Sequence, residues 1–158
     1  MPNFSVTRRL SYSADQVYHI ACDVDSYKEF IPLLKKSAVY NRKTLPDGRE
    51  SFDAEFRITY QKLRIEETAI SHVVADPVNR IVMSHSSEGA VKSMDSLWKV
   101  TNLPDGGCEV EFTVDYTLKS RSMQFLLSGM FDLAVRKIMT AFEDRARKLY
   151  GPPTAPAA

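Results

Sequence analysis

The side chains of this chain with an evident capacity for chemistry are three histidines (His19, His72, His85), two cysteines (Cys22, Cys108) and an adjacent carboxylate pair, Glu66-Glu67. No histidine stands at metal-ligand spacing from another histidine or a cysteine, so the three read as dispersed structural or surface residues. The cysteines show no CxxC spacing and read as small buried apolar residues rather than a redox centre. Glu66 and Glu67 would point to opposite faces of a strand, which argues against a catalytic dyad and for a solvated edge. The sequence contains no GxSxG elbow, no P-loop and no GxGxxG loop. What remains points to binding. Trp98, the sole tryptophan, and Tyr116 each offer an apolar wall with one polar handle, or plain core. Met94, Met123, Met130 and Met139 suit an irregular apolar ligand and ordinary core equally.

Basic residues occur in local clusters: Lys35-Lys36, Arg42-Lys43, Arg136-Lys137, and Arg145 with Arg147-Lys148. They read as a solvated face or as a contact for an anionic surface, either lipid headgroup or RNA. No aromatics are interleaved with them as a single-strand platform requires. The formal net charge of +1 gives no global field that would steer the chain to nucleic acid.

With 158 residues, the chain fits one domain over 1–151, followed by a Pro/Ala tail over 152–158 that is expected to be disordered. No apolar run approaches the roughly 20 residues of a membrane span. The N-terminus passes straight into strand-like alternation without a signal or transit segment, so a cytoplasmic location is expected. An organellar protein shorn of its leader would look the same.

The elements that must position these residues follow from periodicity. Phe4, Val6 and Leu10 alternate, with Arg8 on the same face, so this first strand lies at an edge or ends its burial there. Ser13 with Gln16 is a capping box for a helix carrying Val17, Ile20, Ala21 and Val24. Asp25 is the expected cap of a second short helix through Phe30, stopped by Pro32. Strands follow over Ser37–Arg42, from Phe52 to Tyr60, from Leu63 onward, over Arg80–His85, around Trp98, and from Cys108 to Leu118. Ile70 breaks the parity of Leu63 and Ile65, which predicts a bulge between them. Two Leu-Pro-Asp-Gly segments mark hairpin turns. The alternation is clean, with one wet and one dry face, as in an antiparallel sheet. Ser122 to Tyr150 form one long amphipathic helix whose stripe includes Leu127, Phe131, Val135, Ile138, Phe142 and Leu149. The expected class is α+β, a curved antiparallel sheet of about seven strands gripping a long C-terminal helix with an apolar cavity between them.

Three stretches carry a resemblance as well. Tyr18 to Pro32, with Asp23, Val24, Tyr27, Phe30 and Pro32, is similar to the signature of the coenzyme Q-binding protein family, a branch of the START-like, polyketide-cyclase-like superfamily. Ile20 stands where that family commonly has valine. Ser96-Leu97-Trp98-Lys99-Val100 resembles its tryptophan strand, and Ala141 to Gly151 its close.

The resemblance implies a helix-grip fold in the order strand, two helices, six strands, helix. It implies non-catalytic binding of coenzyme Q or its polyprenyl intermediates, in support of respiratory electron transfer or quinone biosynthesis. Bacterial relatives described as ribosome-associating toxins give the alternative of inhibited subunit joining; a distant cyclase activity is the third reading. The expected ligand-binding set is Trp98, Tyr116, Phe131, Val135 and Met139 along the cavity. Val24, Tyr27, Phe30, Ile31 and Pro32 fall in a lid over Val24–Leu34. No cofactor or metal is expected, the quinone being the bound ligand. Expected partners are the inner membrane, through peripheral contact, and respiratory or quinone-biosynthesis proteins; the ribosome replaces them under the alternative.

Overall fold

The computed structural model describes residues 3–31, 34–60, 64–89, 91–119 and 121–152, and for 3, 4, 60, 65, 88, 89, 91, 118 and 121–134 it describes the backbone course alone. Seven strands form one antiparallel sheet: β1 (Asn3–Leu10), β2 (Leu34–Thr44), β3 (Glu50–Tyr60), β4 (Ile65–Asp76), β5 (Ile81–Gly89), β6 (Val91–Asn102) and β7 (Cys108–Leu118), in the spatial order β1-β7-β6-β5-β4-β3-β2. Helix α1 (Ala14–Cys22) and a 3₁₀ helix (Val24–Glu29) connect the two edges, and α2 (Arg121–Tyr150) closes the chain. This is the expected helix-grip order, and β1 is an edge strand.

Local chemistry explains the boundaries. At the start of α1, the Gln16 N–H donates to Ser13 Oγ (3.2 Å) and the Ser13 N–H to Gln16 Oε1 (3.0 Å), completing the capping box. Gly48 and Gly106 take φ of 91° and 89° in the two hairpin turns, a region that side chains resist. Gly107 is needed for a different reason: a Cβ there would lie 2.7 Å from the Leu10 carbonyl oxygen.

Two expectations are corrected. The second short helix is 3₁₀ and begins at Val24 after Asp23, with no side-chain cap, so Asp25 lies inside it rather than capping it. The ladder between β3 and β4 runs unbroken from Glu50↔Ala75 to Tyr60↔Ile65. Ile70 simply faces outward, 39% exposed, and the slip lies on the other side of β4, between Ile70 and Ser71 against β5.

The core lies on the concave face. Leu10, Phe52, Val73, Val82, Trp98, Val100, Val110 and Val114 from the sheet meet Val17, Ile20 and Ala21 of α1 and Val135, Met139, Phe142 and Ala146 of α2. Polar ties pin the helices at the hairpin end. The Tyr12 hydroxyl donates to the Gly151 carbonyl (2.8 Å), Tyr150 to that of Gln16 (3.2 Å), and the Ala14 N–H to Asn102 Oδ1 (3.2 Å). At the edge, Arg8 reaches α2 and donates to Thr140 Oγ1 (3.1 Å).

Candidate functional site

Phe142 is the hub of the packed end, 1% exposed. Trp98 stacks on it at 4.4 Å between centroids and 19° between planes, with Phe112 on Trp98 at 4.3 Å. Phe30 and Tyr27 meet Phe142 edge-on at 5.4 Å and 5.9 Å. Five aromatic rings thus come from a 3₁₀ helix and its flank, two strands and a helix, and they fill the face where they meet. Tandem edge and stacked contacts of this kind hold their rings more firmly than area alone.

Of the residues expected to bind ligand, the structure therefore brings Tyr27, Phe30 and Trp98 together around Phe142. Val24, Val135 and Met139 are buried in the same core. Tyr116 is buried opposite Met94, outside that cluster. Ile31 is half-buried and packs against the core. Pro32 and the Phe131 side chain lie outside the described residues.

The expected lid is tied to β2. Ser37 Oγ accepts from the Lys28 N–H (3.0 Å) and donates to the Asp25 carbonyl (3.0 Å), while Lys28 Nζ donates to the Ser37 carbonyl (3.0 Å). The Tyr27 hydroxyl donates to the Ala21 carbonyl, and burial holds its pKa far above the ordinary tyrosine value, so it stays neutral. Any opening of this segment must break these bonds.

Further along the same strands the concave face changes character. Ser84 on β5 and Met94 and Ser96 on β6 are only half-buried, although these are central strands. Ile58 on β3 is 37% exposed. Ser71 and Ser86 are buried among them. Sequence reading passed over these serines. The signal was parity: Ser96 stands two residues before Trp98, and Ser84 two after Val82, so each shares their dry face.

On the outer side of α2, a groove of about 520 Å³ runs between the helix and the 3₁₀ segment, lined among others by Glu29, Phe30, Arg136, Lys137, Arg145 and Lys148. Arg145 bonds Glu29 (3.2 Å) and lies over the Phe30 ring at 5.1 Å, combining an ion pair with a cation–π contact. Four basic residues face two carboxylates, Glu29 and Asp144, so the groove favours anions.

The convex face holds a row of polar pairs. His72 Nδ1 lies 3.1 Å from Asp53 Oδ1 and its Nε2 lies 3.3 Å from Ser51 Oγ; His85 Nδ1 lies 2.7 Å from Asp95 Oδ1. Hydrogen bonds from Asn41, then His72, lower the Asp53 pKa, so this carboxylate stays ionised. The order Ser-His-Asp matches a hydrolytic triad, but the groups sit on an open sheet surface, with the His72 side chain 57% exposed. Water reaches every member, and nothing there desolvates a reacting carbonyl. Among the described residues no group of three or more His, Cys, Asp and Glu is arranged to hold a metal.

Known proteins share this architecture. The chain is 26% identical to a mitochondrial coenzyme Q-binding protein (COQ10 homolog B) of Xenopus laevis over 98% of its own length, and spans 62% of that relative. It is equally 26% identical to the ribosome association toxin RatA of Vibrio cholerae, over 96% of this chain and 99% of the toxin. The solution structure of an 18 kDa protein from Caulobacter crescentus superposes with a TM-score of 0.80 at 26% identity, covering 96% of this chain and all of the other. An aromatase/cyclase from Streptomyces superposes at 0.78 with 16% identity, over 93% of this chain and 94% of its own, a likeness of fold alone. Residues 10–143 match the model of the family described as polyketide cyclase / dehydrase and lipid transport, and the chain, with its seven-stranded grip on α2, belongs to that family.

Proposed function

We propose that this protein binds a polyprenyl quinone, or a prenylated precursor of one, against the accessible half of its concave face and delivers it without catalysing a reaction. The observation that carries this reading is the half-exposure of Ser84, Met94 and Ser96 on central strands, while Val82 and Trp98, one step along the same strands, are buried. A face left accessible at the centre of a sheet forgoes about 25 cal/mol for each Å² of apolar surface, which an apolar guest would recover. Ligand pockets hold roughly 300–1,000 Å³, enough for a ring and a few prenyl units. Each further CH₂ left in water costs about 0.8 kcal/mol, so a long tail must continue into a bilayer or an apolar partner. The groove lined by Phe30, Lys137 and Lys148 supplies the docking surface for anionic lipid, each of these lysines contributing about 1 kcal/mol near such a surface. Peripheral attachment to the inner membrane follows, with quinone-making or quinone-using proteins as recipients.

The test is purification from the native host, extraction with organic solvent and mass spectrometry of the extract. Stoichiometric quinone is the expected result. Quinone-free protein that co-sediments with ribosomal subunits would replace this reading with the second one.

That second reading, ribosome association, is favoured by one specific observation: the match to the Vibrio toxin spans nearly its whole length. Lys137 and Lys148 line the groove and form no ion pair among the described residues. This reading requires affinity that falls steeply with salt and ignores substitutions on the concave face. A cyclase would need an acid/base pair beside its substrate. Among the described residues, the histidine–carboxylate pairs lie on the convex face instead.

A further inference from the structure

We infer that Ser71, Ser84, Ser86 and Ser96, the first and third buried and the other two half-buried, form a polar subsite on the concave face, and that it takes a neutral oxygen acceptor of the ligand, a ring carbonyl above all. This inference rests on the lipid-binding reading and specifies which part of the ligand is recognised.

Register places the four hydroxyls together. Ser71 is directly opposite Ser86 across β4 and β5, and Ser84 is directly opposite Ser96 across β5 and β6. Two strand spacings separate β4 from β6, so the patch is roughly 10 Å across, the scale of one substituted ring. Apolar residues flank it: Met94 beside Ser96, and Val73 opposite Ser84.

Counting hydrogens shows what the patch offers. Ser86 donates its hydroxyl proton to the Ile70 carbonyl at 2.5 Å. Ser84 and Ser96 bond to each other, an arrangement that uses one of their two protons whichever donates. The other proton has no acceptor among the described residues. Ser71 is buried, and its hydroxyl has no hydrogen-bond partner among them either. A buried hydroxyl without a partner is destabilising, and replacing it by a methyl group would remove the penalty at no cost in shape. Donors that no described residue accepts, on an otherwise apolar face, mark a place where a ligand completes the bonding. Serine hydroxyls carry no charge, so the subsite selects a neutral carbonyl over a carboxylate or phosphate, which would demand a cation. The acceptor lone pairs of Ser86 extend the same selection to a ring bearing one hydroxyl, as a partly built or reduced quinone does.

The experiment compares wild-type protein, the Ser84→Ala/Ser96→Ala double variant and Ser71→Ala with two probes. One is a quinone with a two-unit prenyl tail; the other is the same prenylated ring without its oxygens. Thermal unfolding confirms that each variant is folded. The expected result is a quinone Kd raised roughly three- to tenfold by each substitution set, with hydrocarbon affinity unchanged. The carbonyl stretch of the bound quinone, shifted in the wild type, should return in the double variant towards its position in apolar solvent. Equal weakening of both probes, or no change in either, would overturn the subsite while leaving the lipid-binding reading standing. Failure of wild type to bind either probe would overturn both.

Discussion

Towards the hairpin turn at Gly106, the concave face is filled by Leu10, Trp98, Val100, Val110 and Phe142. Towards the opposite rim, Ile58, Ser84, Met94 and Ser96 stay accessible on the same strands. The backbone is equally regular in both regions; side-chain size and the helices overhead make the difference. At the hairpin end α1 and α2 converge over Trp98 and Phe112, while the 3₁₀ segment docks on β2 at Ser37, in the row of Phe56, and sends Tyr27 and Phe30 to Phe142. Beyond them the strands carry serine where the packed end carries valine and tryptophan. On the proposed reading, one sheet supplies both the packed core and the surface that takes the ligand.

That separation can be tested by substitution. Phe142→Ala removes the hub of the packed end and should cost about 3–5 kcal/mol in urea unfolding; a cost near zero would mean that the ring stack does not hold this end. Gly107→Ala forces a Cβ against the Leu10 carbonyl and should cost about 1–3 kcal/mol, with β1 the first strand to lose amide protection. Ser13→Ala breaks the capping box and should cost about 1 kcal/mol, read as a lowered thermal midpoint. Ile58→Ser, at the accessible rim, should change stability by no more than about 0.5 kcal/mol. A core-sized loss there would erase the distinction between the two regions.

The pH dependence gives a further test. Burial raises the Cys108 thiol to about 12 and, as the main cause, the Cys22 thiol to about 11. An unfolded thiol titrates near about 8.5. Above that pH the unfolded chain releases protons that the folded chain keeps, so stability declines as pH rises towards 11–12 and is fully present below 8.5. Denaturation at stepped pH checks the sign, and Cys108→Ala should make the decline shallower.

The sequence made the packed end legible and the accessible half much less so. The alternation from Cys108 matches β7, because its dry face is almost entirely apolar and its start is fixed by a Gly-containing turn. The Ser13–Gln16 box is local chemistry and needed no tertiary knowledge. The serine patch joins three strands, and each serine alone looks like a polar residue on a wet face; parity with Val82 and Trp98 was the available clue. The basic groove was harder still, since Glu29 and Arg145 meet across most of the chain. Asp25 lies inside the segment because a 3₁₀ helix begins one residue earlier, at Val24.

The most direct test of the central claim is to titrate the isotopically labelled protein with a short-tailed quinone and follow backbone amide shifts. Shifts centred on Ser71, Ser84, Met94 and Ser96, with Leu10, Val17 and Val100 unmoved, are the predicted result. Shifts confined to the groove around Arg145 and Lys148, or spread over the packed end, would contradict it.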